Sequence, residues 1–253
     1  MLKTLRKRLE RKFGYQGYDL EDEARPNIQI VQPYTMLTYP RLVTLYEQAV
    51  FCEMNQIAGS FVECGTWKGG AVGLMALANI KRGSYRRHLH LFDSFEGIPE
   101  PGEYVDGPKA VKEVRSVGGQ AKGRLAAVEG FYEKYASGAG TIEVNKRLLE
   151  TIIGYDPSFI HYHKGWFQDT LPEAAGQIGD IAILRLDADW YDSTKVCLEH
   201  LYNNVVNGGF IIIDDYGYYE GCKKAVDEFI KAKKMRVYLN HVDRSCRYWV
   251  KQK

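Results

Sequence analysis

Three carboxylates close two apolar runs of this chain. Asp187 follows residues 181–186, and the pair Asp214 and Asp215 follows residues 210–213. If those runs are neighbouring parallel strands, all three acids reach one rim of the sheet. Like charges a few ångströms apart repel and raise one another's pKa. An oxygen-preferring dication such as Mg²⁺ is the natural occupant of such a cluster. The competing reading for Asp214 and Asp215 is a cap after a strand, and for Asp189, two residues beyond Asp187, a solvated loop acid.

A second constellation is a strand-to-helix turn. Residues 60–64 are followed by Gly65, Thr66, Trp67, Lys68, Gly69 and Gly70, and then by an apolar helical pattern. Glycines there let the backbone approach a ligand, and the helix start offers unpaired N–H groups. We therefore read Glu63, Gly65, Thr66, Trp67 and Gly69 as a cofactor loop. The turn carries neither the G-x-G-x-x-G fingerprint nor G-x-x-x-x-G-K-[ST]. Glu63 would repel a pyrophosphate but suits the cationic aminoacyl end of S-adenosylmethionine. Asp93 closes the next apolar run, where an acid can accept bonds from ribose hydroxyls; with Ser94 and Gly97 it also fits a turn cap. Glycine turn, Glu63 and Asp93 together, with no phosphate-binding element, favour S-adenosylmethionine over a nicotinamide cofactor.

The elements that must position these groups alternate between strand-like and helix-like runs, the pattern of a parallel sheet covered on both faces. Strands are expected over residues 60–64, 88–93, 159–163, 181–187, 210–214, 235–239 and 246–251, and helices over 69–82, 145–153, 170–177, 193–204 and 220–234. The last two strands are too close for a helical crossover, so they pair antiparallel. Upstream, Thr38 is placed to cap a helix with Pro40 in its first turn and an apolar stripe of Leu42, Leu45, Tyr46, Ala49 and Val50. It should lie against the sheet or over its mouth. Residues 94–144 break the rhythm and read as a lid or substrate-binding insertion.

With 253 residues, 45% of them hydrophobic, the chain can build one large α/β domain, here residues 35–253. Residues 1–34 read as an N-terminal extension in which six bases face one acid between Lys3 and Lys12, a short basic amphipathic helix. The net charge of +2 gives no reason to expect nucleic acid as a partner. No apolar run reaches the ~18 residues of a membrane span, so a cytoplasmic protein is expected. Five cysteines without a C-x-x-C pair argue against a disulfide framework or a zinc ribbon.

Five motifs in order, FVECGTWKGG at 61–70, LFDSFEGIP at 91–99, KGWFQDTLP at 164–172, LRLDADWYDST at 184–194 and GGFIIIDDY at 208–216, give the chain a resemblance to the macrocin O-methyltransferase family, from about residue 35 onward. The resemblance implies a class I methyltransferase fold: a Rossmann-like, seven-stranded, mostly parallel sheet with the last strand antiparallel and helices on both faces. It further implies S-adenosylmethionine as methyl donor, Mg²⁺ on Asp187, Asp214 and Asp215, ribose on Asp93, and adenine flanked by Gly165, Trp166 and Phe167. The acceptor would be a sugar hydroxyl of a glycosylated natural product or of a glycan. In related catechol methyltransferases a lysine serves as base where this chain has Trp190, which leaves Asp187 and Asp189 as candidates. Alternatives are a methyltransferase of small catechol-like phenols and a non-catalytic scaffold, the fifty-odd residues of the insertion favouring a bulky acceptor. His161 and His163 share a strand face and could hold a metal or simply pack. His241, Asp243 and Arg244 in the last hairpin, and Tyr191, Tyr216, Tyr218 and Tyr219 after the acid-bearing strands, are placed to meet the acceptor. A homo-oligomer is expected.

Overall fold

The computed structural model describes residues 20–252. The basic helix expected before them lies outside the described residues. Seven strands form one sheet: β1 (Ser60–Cys64), β2 (Leu89–Asp93), β3 (Ile160–Lys164), β4 (Ile181–Leu186), β5 (Val205–Ile213), β6 (Asn240–His241) and β7 (Arg247–Val250), in the order β3-β2-β1-β4-β5-β7-β6. The first five run parallel, and β7 is antiparallel to both of its neighbours. Strand order reverses between β1 and β4, and the crevice beyond the carboxyl ends of those strands is where ligands bind in open α/β sheets.

The central strands β1 and β4 are buried along their whole length, as expected when helices cover both faces. Alternate residues feed two cores. Phe61 and Ile183 pack with Ile28, Leu45, Tyr46, Leu74 and Met75 from α1 (Glu21–Val31), α2 (Tyr39–Met54) and α3 (Gly70–Arg82). Val62 and Leu184 join Leu171, Leu198 and Val226 of α7 (Phe167–Ile178), α8 (Tyr191–Leu201) and α9 (Glu220–Ala232) on the other face. Between α3 and α7 lie α4 (Gly107–Arg115), α5 (Phe131–Tyr135) and α6 (Ile142–Lys146), which continues into a π-helical turn (Arg147–Ile152). Among the described residues no helix is long and apolar enough to cross a membrane.

Three expectations need correction. The run 235–239 forms no ladder, and the sixth strand is the two-residue segment Asn240–His241. Met235, Val237 and Leu239 do pack on the core as alternation requires, but the hairpin partner β7 is only four residues long, so pairing stops near the turn. Residues 21–31, read as an extension, fold as α1 and bury Ala24, Ile28 and Val31. Pro26 obscured that helix; Glu21, Asp22 and Glu23 in its first turn match the helix dipole. Thr38 makes no side-chain cap, because its hydroxyl donates to Asp243 Oδ2 at 2.8 Å instead.

Residues 94–144 are fastened to the acid-bearing strands rather than draped over them. Buried Asp106 accepts from Gly102 N at 2.7 Å and from Tyr191 N, the first residue of α8, at 2.6 Å. Trp190 Nε1 donates to Pro99 O at 2.8 Å. Asp106→Ala leaves two backbone N–H groups without their charged acceptor. It should lower unfolding free energy by about 1.5–3 kcal/mol, read as a reduced urea midpoint at unchanged slope.

Candidate active site

The site grows from one unusual residue in an apolar strand. Arg185 stands opposite Glu63 in the β1–β4 ladder and opposite Ile212 in the β4–β5 ladder. Side chains two apart share a sheet face, so Asp187 and Asp214 project from the same side just beyond the strand ends. The Arg185 guanidinium, 2% exposed, donates from Nη1 to Glu63 Oε1 and to Asp187 Oδ2 at 3.0 Å, and from Nη2 to Asp214 Oδ1. From the first turn of α2, Arg41 donates to Asp214 Oδ2 and, through Nε, to Asp243 Oδ2 at 2.7 Å.

Asp187, Asp214 and Asp215 each offer an oxygen within 4.8 Å of the others. Two guanidiniums therefore stand among six carboxyls: Glu63, Asp187, Asp189, Asp214 and Asp215 at the rim and Asp243 behind Arg41. Burial pushes Asp214 up to about 6 against the pull of Arg185, and Glu63 up to about 7. Burial, then neighbouring carboxylates, raises Asp215 and Asp189 as well. Asp215 Oδ2 is buried with no hydrogen-bond partner, a vacancy in the bonding pattern that costs about 1–3 kcal/mol unless something fills it. Excess anionic charge, all-oxygen donors and an orphaned carboxylate oxygen fit a hard dication such as Mg²⁺.

The glycine turn meets this rim at the topological switch point. A Cβ on Gly65, whose φ is +85°, would lie 1.9 Å from Asp187 O, so only glycine fits between β1 and β4 there. Asp93 organises the turn from the next strand. Its Oδ2 accepts from Thr66 N at 2.8 Å and Trp67 N at 3.0 Å, and its Oδ1 accepts from Phe95 N at 2.7 Å. Trp67 and Phe95 both have positive φ, as does Asp189. Such non-glycine residues cost roughly 1–2 kcal/mol each and cluster where surrounding structure dictates an unusual turn. Asn145 Nδ2 adds a bond to Trp67 O at 2.8 Å.

Two adjoining cavities flank the rim. The smaller, about 40 Å³, is lined by Gly65, Asp93, Ser94, Gly165, Trp166, Phe167, Asp187 and Asp189 among others. The larger, about 330 Å³, is lined by Glu63, Thr66, Trp67, Arg41, Arg185, Asp214, Asp215 and insertion residues. Gly65, Ile98, Tyr132, Asp187 and Asp189 belong to both. Gly69 reaches neither; it starts α3 and lies against Asn145. Ser94 forms a turn, its hydroxyl donating to Gly97 O at 2.7 Å and accepting from Glu96 N and Gly97 N.

Of the aromatic candidates, Tyr218 and Tyr219 line the larger cavity and donate to Glu113 of α4. Tyr191 and Tyr216 instead donate to Glu228 and Asp227 on α9, and neither lines these cavities. Asp243 is consumed by Arg41, Thr38 and the amides of Ser245 and Cys246, while His241 is exposed outside both cavities. The sequence reading missed Arg185, Arg41, Glu113 and Tyr132. Arg185 had a usable signal, a lone charge inside an apolar strand that must find partners. Arg185→Leu leaves Glu63 buried without its counter-charge and Asp214 with Arg41 alone. It should cost about 3–5 kcal/mol of stability, measured by urea denaturation, with Arg185→Lys intermediate because it keeps the charge and loses the fork.

The family described as Macrocin-O-methyltransferase (TylF) matches residues 3–121 and 146–251 of the chain. Demethyldecarbamoylnovobiocin O-methyltransferase of Streptomyces niveus is 32% identical over 222 residues, covering 85% of this chain and 75% of that protein. A tetracenomycin 4'-O-methyltransferase, acting on the 8-demethyl-8-(2,3-dimethoxy-alpha-L-rhamnosyl) compound in Streptomyces olivaceus, is 32% identical over 218 residues, covering 84% and 75%. The solved structure of the O-methyltransferase NovP superposes with a TM-score of 0.71 at 32% identity, covering 87% of this chain and 83% of that one. The seven-stranded sheet with its one reversed strand is thus shared with a class I O-methyltransferase. With the match running through both ends of the acid-bearing sheet, the chain belongs to the macrocin-O-methyltransferase family and is an O-methyltransferase.

Proposed function

We propose that this enzyme moves the methyl group of S-adenosylmethionine to a hydroxyl of a sugar carried by a glycosylated small molecule, with Mg²⁺ on Asp187, Asp214 and Asp215. The observation that carries the reading is the convergence of those carboxylates on the larger cavity, with Asp187 reaching the smaller one as well and Asp215 Oδ2 buried and unsatisfied. The named activities of the relatives, O-methylation of a novobiocin precursor and of a rhamnosyl tetracenomycin, support a glycosylated acceptor.

When bound, the cofactor supplies an electrophilic methyl on a sulfonium, and the cation lowers the pKa of a hydroxyl that it coordinates. The chain's own residues do the rest. Trp166 and Phe167 offer apolar walls for the adenine, and Asp93 Oδ1, which accepts one amide bond, retains acceptor capacity for a ribose hydroxyl. Glu63 Oε2, buried without a partner, suits the cationic aminoacyl end. Asp189 takes the acceptor hydroxyl's proton. It faces both cavities, and burial together with the neighbouring Asp187 raises its carboxyl above the usual carboxylate range, which makes it a stronger proton acceptor. Asp189 would hold that proton while the bound cofactor would supply the methyl group, its sulfur keeping the electron pair of the broken bond. Holding the two reactants in line contributes about 7–11 kcal/mol in favourable cases, more than the roughly 3–5 kcal/mol of a positioned base; positioning therefore dominates.

The insertion 94–144 serves as the lid of the acceptor chamber. It supplies Ile98, Glu113, Phe131, Tyr132 and Tyr135 to the larger cavity, and the family match lapses over 122–145, the segment that holds the last three of these. Acceptor choice is assigned to that segment.

Turnover with labelled S-adenosylmethionine and a panel of glycosides should vanish on adding a chelator, return with Mg²⁺, and be absent in Asp187→Asn. Asp189→Asn should keep cofactor affinity by calorimetry and lose ~10²- to 10⁴-fold in kcat. Undiminished turnover in a chelator would sink the metal assignment. Tyr135→Ala, in a residue lining only the larger cavity, should raise the acceptor KM by roughly tenfold with cofactor affinity unchanged.

A further inference from the structure

Four of the chain's six histidines form a ladder at the β3 edge of the sheet, away from the carboxylate rim. His88, just before β2, and His90 within it alternate with one another, as do His161 and His163 on β3. The ladder sets His90 opposite His161 and Phe92 opposite His163, so the four imidazoles share one face. His88 Nδ1 lies 2.8 Å from His161 Nε2, and His90 Nδ1 lies 3.1 Å from His163 Nε2. The rings are stacked as well as paired: His90 on His161 with centroids 4.5 Å apart and planes at 15°, His163 on Phe92 at 4.0 Å and 6°. Phe159 lies 5.0 Å from the His88 ring. The inner pair is packed inward, with His90 buried, whereas His88 is exposed at the open end.

We propose that His88 and His161 chelate a divalent transition-metal ion of the Zn²⁺, Ni²⁺ or Cu²⁺ class, with water in the remaining coordination positions. Imidazole nitrogens are the preferred donors of these borderline ions, whereas the oxygen-only rim suits Mg²⁺. Two nitrogens bound at ~2.0–2.1 Å to one ion in neighbouring positions stand about 3 Å apart, and this pair is already near that separation. Strand pairing and stacking on His90 hold His161, and His88 lies against Phe159 and His161, so the pair has reduced rotamer freedom to lose on binding. Burial and the neighbouring His88 depress the His161 pKa, which keeps its ring neutral and ligand-competent. The proton shared between the two facing nitrogens moves to an outer nitrogen of its ring. A metal here therefore needs a change of tautomer and no net loss of protons. Such an ion would tie the edge strand to β2, and β3 leads through Lys164 directly into Gly165, Trp166 and Phe167 of the smaller cavity.

Cu²⁺ serves as the probe, titrated into the full chain and read by electron paramagnetic resonance with nitrogen modulation. The expected result is one Cu²⁺ coupled to two imidazoles, together with a Cu²⁺-dependent rise in Tm by mass action. His88→Gln and His161→Gln should each lose the two-imidazole signature, while Asp187→Asn, which disables the acid cluster, should retain it. Circular dichroism without metal establishes that each variant is folded, and the two substitutions lie on different segments, so either alone sustains the test. The proposal is overturned if saturating Cu²⁺ shows no imidazole coupling, if the signature survives in either histidine variant, or if it disappears in Asp187→Asn.

Discussion

Crowding of carboxyl groups at one rim is the constraint to which the rest of this structure answers. Glu63, Asp187 and Asp214 would repel one another strongly in a dry crevice, and Arg185 reaches all three from a single buried guanidinium. A lysine bridges them less well, because its three donors share one nitrogen, whereas the planar fork spreads five N–H groups over three. Placing that arginine in the middle of an apolar sheet is costly. The cost is offset because Glu63 and Asp214 arrive on the two neighbouring strands and Asp187 at the end of its own, each placed by the ladder. Arg41 completes the arrangement from above, joining the helix that covers the mouth to both Asp214 and the last hairpin.

A second, subtler tie is Asp93. Its carboxylate bonds three amides in two loops, two of whose residues, Trp67 and Phe95, sit in the left-handed region. Such turns persist only when something specifies them. One side chain at the end of β2 thereby shapes the glycine turn after β1 as well as its own loop. A residue read from the sequence as a ligand contact is also the brace of the pocket wall.

Much of the fold was legible because the strands are short, apolar and separated by helical periodicity, and the reversed hairpin followed from spacing alone. The acids of the rim were legible for the same reason: a charge that ends an apolar run must sit at a sheet edge. What escaped lay where local pattern and tertiary context part. α1 was hidden by Pro26, and β6 by apolar alternation that reports packing rather than pairing. Glu113 and Tyr132 come from an insertion without periodicity, so nothing in their neighbourhood announced that they face a cavity. The tyrosines divided for a similar reason, Tyr218 and Tyr219 turning inward and Tyr191 and Tyr216 turning to α9.

The pairing of Arg185 with Glu63 spans 122 residues of chain. Contacts of such long range form only after large loop-closure entropy has been overcome, so the charge balance of the rim belongs to the late stages of assembly. Asp187, by contrast, travels with its own counter-ion two positions upstream. During folding β4 can therefore dock against β1 as a locally neutral unit, whereas Asp214 and Asp215 bring no counter-ion of their own and wait for Arg185 and Arg41 to reach them.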